Sequence, residues 1–299
     1  MRKSFFMESE GSPALSDGLK RRYLMPPFVA PPGVWNSDTM FAKRETINWG
    51  IRGSGSPARS RLRCGHLLVE VSRGENEVCL ASKRLTDEEA GLGPDEPVAW
   101  TSWAVCTGAR GVKVLPGLPD LAVLAQTDEV FEVAPGGEAR VFLRIPVSVQ
   151  VRLSDRDDEL LAEFPSESMP RVHFGEGPGT LLCYQLSEPA LRFALADLES
   201  SVAQAPVLIR NESRETLSVT QLCLRVARLS VYRAGTELWT SETIARYQGG
   251  LEASRLQVKS GPPAEVPQAK ILAGPRESGP GTFAARTFRS FRRWAGDWR

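Results

Sequence analysis

Two histidines are the only imidazoles in the 299 residues. Cys64-Gly65-His66 sets a thiol and an imidazole two positions apart, as one half of a zinc site would. Zinc wants four ligands, or three and a water, and no second pair follows at a matching interval. The triplet reads better as the start of a strand with an incidental thiol and imidazole. The other histidine opens His173-Phe174-Gly175-Glu176-Gly177-Pro178-Gly179-Thr180, which has the glycine content of a phosphate cradle. Such cradles deliver phosphate to a helix N-terminus, whereas this stretch runs into the strand-like sequence from Leu181 to Leu186. Pro178 also removes an N–H that a cradle would use, so a tight hairpin or bulge is the better reading.

Carboxylates gather in residues 154–170. Asp155, Asp157 and Glu159 match the first three ligand positions of a calcium loop, but Leu160 stands where glycine is required and Ser166 where a bidentate glutamate is required. A solvated acidic loop with one helical turn at 159–163 is expected. Asn211-Glu212-Ser213 fits a glycosylation sequon, yet between two strand-like runs it is a turn. No nucleophile, base and orienting group can be assembled. The sequence therefore points to no catalytic residue, no metal ligand and no cofactor.

The chemistry-bearing stretch is the C-terminal tail, 282–299. On a helix, Ala284, Phe288, Phe291, Ala295 and Trp298 share one face with Trp294 at its border, while Arg286, Arg289 and Arg293 fall opposite. Five arginines and one aspartate occupy this tail. Aromatics on one side and arginines on the other suit an interfacial membrane helix or a helix for a partner's groove. Docking on the body and a frayed end are the plainer alternatives. Phe288, Phe291, Arg292, Arg293, Trp294 and Trp298 are the candidate partner-binding residues.

The elements that must carry this tail are strands. From Val141 to Leu153 every odd position is apolar, a period of two that marks a strand with its odd face on a core. Arg140, Gln150 and Arg152 should then be exposed. Pro146 cannot donate to a ladder, so two strands should join there and bend from one sheet to its partner. Phe131 and Val133 precede Pro135-Gly136-Gly137, which predicts a hairpin. Leu67, Val69 and Val71, then Arg73-Gly74-Glu75-Asn76, then Val78 and Leu80 predict a second. A slip in apolar parity between Val219 and Leu222 predicts a bulge, and Tyr232 to Thr236 a turn. Residues 191–200 have helical spacing, with Leu191, Ala194, Leu195 and Leu198 on one face.

The sum is an all-β chain: one or two antiparallel β-sandwich units with short helical turns and a C-terminal amphipathic helix. Its expected divisions are a poorly ordered lead (1–40), an N-terminal β region (41–125), a C-terminal β-sandwich (126–260), a Pro/Gly linker (261–281) and the tail (282–299).

With 37 basic and 36 acidic residues the chain has no global field to attract nucleic acid, and none is expected as a partner. The five cysteines (Cys64, Cys79, Cys106, Cys183, Cys223) lie far apart with no Cys-x-x-Cys pair, and no secretory leader is expected. Independent thiols in a reducing cytoplasm are expected. No apolar run is long enough to span a bilayer.

Residues 112–260 carry an ordered series of features: Leu115-Pro116-Gly117-Leu118-Pro119, Ala134-Pro135-Gly136-Gly137, Arg144-Ile145-Pro146-Val147, Phe174-Gly175-Glu176, Cys183-Tyr184, Ile209-Arg210-Asn211-Glu212-Ser213 and Leu229-Ser230-Val231-Tyr232. In this order they resemble the uncharacterised prokaryotic domain-of-unknown-function family 432. The resemblance implies an all-β cytoplasmic protein with no assigned activity, and it associates the chain with genes for small mechanosensitive channels. The expected function is a non-enzymatic binding or scaffold protein. It would meet a protein partner through loops and tail, with a membrane protein or the membrane surface among the candidates. The alternative is a hydrolase or small-ligand enzyme using carboxylates scattered over the sandwich.

Overall fold

A computed structural model describes residues 19–23, 47, 49–52, 58–74, 76–86, 100–105, 111–154, 158–175, 180–186, 190–193, 200–249 and 254–289. Among the described residues, twenty-three strands fall into four sheets of five, four, five and nine. The fold is all-β, as the period-two runs require.

The first sheet is an N-terminal meander. Ala58–Cys64, Leu67–Arg73, Glu77–Arg84 and Trp100–Val105 pair in sequence order, each antiparallel to its neighbour. The predicted hairpin through Arg73-Gly74 is present, closed by the Gly74 N–H donating to the Glu77 carbonyl at 2.9 Å. Leu19–Tyr23 adds the last strand against Trp100–Val105, so part of the expected lead is sheet. The rest of 1–40 lies outside the described residues.

The strand run from Val141 bends as Pro146 demands. Glu138–Pro146 belongs to the nine-stranded sheet and Ser148–Leu153 to the four-stranded one. Val141, Leu143, Val147, Val149 and Val151 are at most 1% exposed, in a single core that runs from Ile47 to Ala285. Three expectations fail on the even face. Gln150 is buried, because Gly117 beside it leaves room: a Cβ there would lie 2.6 Å from Gln150 Nε2 and 2.5 Å from Ser148 Oγ. Arg140 and Arg152 are half-buried, tied down by Glu242 and Glu265 in one case and by Gln150 and the Asp158 carbonyl in the other.

Pro135-Gly136 makes a tight turn, with the Gly137 N–H donating to the Ala134 carbonyl at 2.8 Å and Gly136 at φ 72°. That conformation needs the glycine. The turn does not close a hairpin. Ala122–Val133 pairs with Leu217–Leu224 in a five-stranded sheet, while Glu138–Pro146 pairs with Val202–Asn211 in the nine-stranded one. The connection is an arch between sheets, and Asn211 stitches it. Its Nδ2 donates to the Val133 and Glu215 carbonyls at 2.8 and 2.7 Å, and its Oδ1 accepts from the Ser213 N–H and hydroxyl. Buried and saturated in this way, Asn211 has no amide to offer a glycan, and the sequon is a turn.

The bulge is present, with the register shifting between Val219 and Gln221, and Gly235 turns Val231–Ala234 into Glu237–Thr240. Three helical expectations meet strand instead. Leu160–Pro165 pairs with Ser148–Leu153 where a helical turn was expected at 159–163. Leu191–Arg192 pairs with Leu143 and Phe142, at the start of the expected helix over 191–200; positions 194–199 lie outside the described residues. Thr282–Ala285 and Phe288–Arg289 are strands at the start of the expected tail helix; positions 290–299 lie outside the described residues. In each case a neighbouring strand with unpaired backbone groups outweighs a 3.6-residue apolar spacing of only a few positions.

The expected linker is part of the body. Val266 and Ala269 pack on a second cluster of Phe142, Tyr232 and Trp239, and Lys270–Ala273 pairs with Val231–Ala234. The segment covers the face of Glu138–Pro146 that the sequence leaves to solvent. The expected border at 125 likewise falls inside the strand Ala122–Val133.

Candidate functional site

Phe288 is the one tail candidate among the described residues whose side chain is placed. It pairs with Leu222 and sets its ring edge-on to Tyr247, centroids 6.0 Å apart. Upstream, Thr282–Ala285 pairs with Ser254–Val258, and between the two strands the Thr287 carbonyl accepts from the Cys223 N–H at 2.8 Å. The tail root thus crosses from the nine-stranded sheet to the five-stranded sheet and closes an edge of each. Arg286, between them, fills the space a Cβ at Gly175 would need, which ties the glycine-rich turn to the tail. Phe291, Arg292, Arg293, Trp294 and Trp298 lie outside the described residues.

The other sequence candidates separate. Gly65 and His66 form the turn between Ala58–Cys64 and Leu67–Arg73, with Cys64 buried in the core and His66 exposed on the turn. His173 is an exposed residue of Arg171–Phe174, the first strand of a hairpin with Leu181–Gln185, which is the hairpin reading of that glycine-rich stretch. Among the described residues no three of His, Cys, Asp or Glu come together as a metal site would require.

A cleft of about 370 Å³ lies between the meander and the edge strand Leu160–Pro165. Leu80, Thr101 and Trp103 line one wall and Leu161, Glu163 and Phe164 the other. Its one carboxylate, Glu163, accepts from Ser148 Oγ and from both Nη atoms of Arg276, whose Nε reaches the Leu118 carbonyl at 2.5 Å. That carboxylate braces the linker segment against the four-stranded sheet.

Among the described residues two carboxylates, Glu70 and Glu242, are buried, and arginine holds both. Glu70 accepts from Arg59 at 2.5 Å and Arg61 at 2.7 Å. Glu242 accepts from Arg140 at 3.0 Å and Lys259 at 2.9 Å, and Arg140 also reaches Glu265 at 2.6 Å. Burial pushes each carboxyl up, but the hydrogen bonds and positive charges of these partners outweigh it and hold both below the ordinary glutamate range. Both are acids fixed in the ionised state.

A family model described as Protein of unknown function (DUF432) matches residues 48–292. The chain belongs to this family. The DUF432 span takes in most of the meander, the arch, the segment expected as a linker and the strands at the tail root. It includes Phe288, Phe291 and Arg292 and leaves out Arg293, Trp294 and Trp298. No curated protein and no solved structure matches the chain. Among the described residues no helix is long and apolar enough to cross a membrane.

Proposed function

We propose that this DUF432 protein is a cytoplasmic binding or scaffold protein that meets a protein partner through its loops and C-terminal tail. The observation that carries the reading is the anchoring of the tail root. Phe288–Arg289 is held as an edge strand against Leu217–Leu224, and Phe288 packs on Tyr247. The aromatic and arginine side chains from Phe291 onward therefore follow directly on a fixed point, which limits the conformational entropy lost on binding. Large aromatics and arginines are the side chains that dominate contact energies at protein interfaces. The arginines further favour a partner that bears carboxylates or sits at an anionic membrane surface.

The experiment compares the full chain with a chain ending at Ser290, which keeps both anchoring strands. Capture of the partner from native lysate should be lost on truncation while the melting temperature stays unchanged. A truncated chain that melts lower yet keeps every partner would overturn the reading. Steep weakening with salt would assign the contact to charge at a membrane surface, and salt-insensitive capture to the aromatics in a groove.

A further inference from the structure

The cleft between the meander and Leu160–Pro165 is bordered by four consecutive residues, Leu161 to Phe164. Successive side chains of a strand alternate between faces, so it is the edge of this strand that opens on the cleft. Hydrogen bonds fix which backbone groups point there. The Leu153 N–H donates to the Glu159 carbonyl and the Ser166 N–H to the Val147 carbonyl, while the Ser154 N–H turns the other way, to the Gly111 carbonyl. Odd residues of Ser148–Leu153 therefore face Leu160–Pro165, and the register sets Val149 opposite Phe164 and Val151 opposite Ala162. Glu163, opposite Gln150, turns its N–H and carbonyl outward. Among the described residues nothing bonds either group. The edge is closed on both sides of this residue. Pro165 has no N–H and Arg84 takes its carbonyl at 3.1 Å, and on the other side the register slips at Leu161. One donor and one acceptor remain, too few to hold an added strand.

We propose that this cleft binds a small, planar, uncharged heterocycle that carries an N–H beside a C=O, as a lactam does. Such a molecule exchanges two hydrogen bonds with Glu163 in one plane, accepting from its N–H and donating to its carbonyl, as the facing residue of an antiparallel strand would. Backbone groups that face a cleft without a partner need water or a ligand, and a ligand that matches both replaces the water without loss. Trp103 on the meander wall and Phe164 on the strand wall, both half-buried and packed against the core, give its ring two aromatic surfaces. A volume of about 370 Å³ suits a small molecule of one or two rings. The cleft calls for no charge on the ligand, because Glu163 is its one carboxylate and Arg276 already holds it.

The test titrates the isotope-labelled full-length chain with carbostyril, a bicyclic lactam, and with N-methylcarbostyril, which keeps the rings and lacks the donor. Amide resonances and hydrogen exchange are the readouts. In the free chain the Glu163 N–H should exchange quickly between the protected N–H groups of Ala162 and Phe164. Carbostyril should move the Glu163 resonance and slow its exchange while leaving the exchange of those two neighbours unchanged. N-methylation should weaken binding by roughly tenfold, since it leaves the Glu163 carbonyl unpaired. Trp103→Ala should weaken it by a similar roughly tenfold factor through lost stacking. A chain ending at Ser290 should bind as the full chain does, which separates this site from the tail. The two lactams compared on the wild-type chain decide the matter even if Trp103→Ala fails to fold. A Glu163 N–H already protected in the free chain would mean that another segment of this chain fills the edge, and would overturn the proposal. Equal binding of the two molecules, or a Glu163 resonance that carbostyril leaves in place at its solubility limit, would also overturn it.

Discussion

The meander and the centre of the nine-stranded sheet cover their second faces by opposite means. In the meander, Leu62, Val69, Val71, Val78 and Leu80 face the core, and the other face carries Arg59 and Arg61 closed over Glu70. In the centre, the odd residues of Glu138–Pro146 face the same core, but the even face is roofed by Tyr232, Trp239, Val266 and Ala269 around Phe142. From Ala58 to Val105 each meander strand also finds its partner next in sequence, whereas Glu138–Pro146 waits for Val202–Asn211. A strand whose second face is charged should tolerate changes there. One with an aromatic roof should tolerate them on neither face.

The largest effect tests that parity. Val141→Asp and Phe142→Asp, at adjacent positions on opposite faces, should both abolish folding, since each buries an unpaired carboxylate. In the meander only one parity should matter: Val69→Asp should be comparably severe, while Ser72→Asp, half-buried beside Arg59, should stay within about 0.5 kcal/mol of wild type. Soluble yield and urea midpoints read all four. A Phe142→Asp chain that melts like wild type would break the contrast.

The same contrast explains what could be read from the sequence. The hairpin through Gly74 was legible because turn residues and two alternating runs sit side by side. The bend at Pro146 and the bulge at Val219 were legible because each leaves a local mark, a missing N–H and a slip in parity. The arch was not. Pro135-Gly136 specifies the turn, but nothing nearby says that the flanking strands belong to different sheets. The segment 261–281 looked like a linker because Val266 and Ala269 are sparse anchors among prolines and glycines, and their partners Phe142, Tyr232 and Trp239 are remote in sequence. For the site, the turn setting of His66 and the hairpin setting of His173 were readable from the glycines beside them. The placing of Cys183 and Cys223 on one face was not, because only the pairing of both strands with Ala122–Val133 puts those thiols in one apolar cluster.

Turns give the next, smaller test. Asn211→Ala removes the buried donor to the Val133 carbonyl, one of the two donors to the Glu215 carbonyl and the acceptor of the Ser213 N–H and hydroxyl at the arch. It should destabilise by about 2–4 kcal/mol, seen as a shifted denaturant midpoint with an unchanged slope. Gly74→Ala at the meander turn should cost well under about 1 kcal/mol, because the nearest atom to the new Cβ is Glu77 Cγ at 3.0 Å, on a flexible side chain. Equal losses at the two positions would show that the arch depends on its distant stitch no more than a local hairpin does.

The smallest expected effect compares the two buried carboxylates. Glu70 and Glu242 each have side chains 3–4% exposed, but their basic partners are about a third to a half exposed. That places both interactions between exposed pairs, at 0.2–1 kcal/mol, and fully buried ones, whose disruption costs about 3–5 kcal/mol. Glu242→Gln and Glu70→Gln should each cost about 1–3 kcal/mol at neutral pH. Glu242→Gln should cost more, because Arg140 joins Glu242 to Glu265 in one network while Glu70 serves only its own sheet. Since both folded-state pKa values lie below the ordinary range, the contribution is present above the unfolded-state pKa of about 4.3 and is lost as the pH falls through the folded-state value. Melting temperature followed from pH 7 down to pH 2 should therefore fall less steeply below about pH 4 in either glutamine variant than in wild type, with the larger flattening for Glu242→Gln. A wild-type acid limb that survives unchanged in Glu242→Gln would mean that this charge network contributes no more to the aromatic-roofed centre than a solvated pair does.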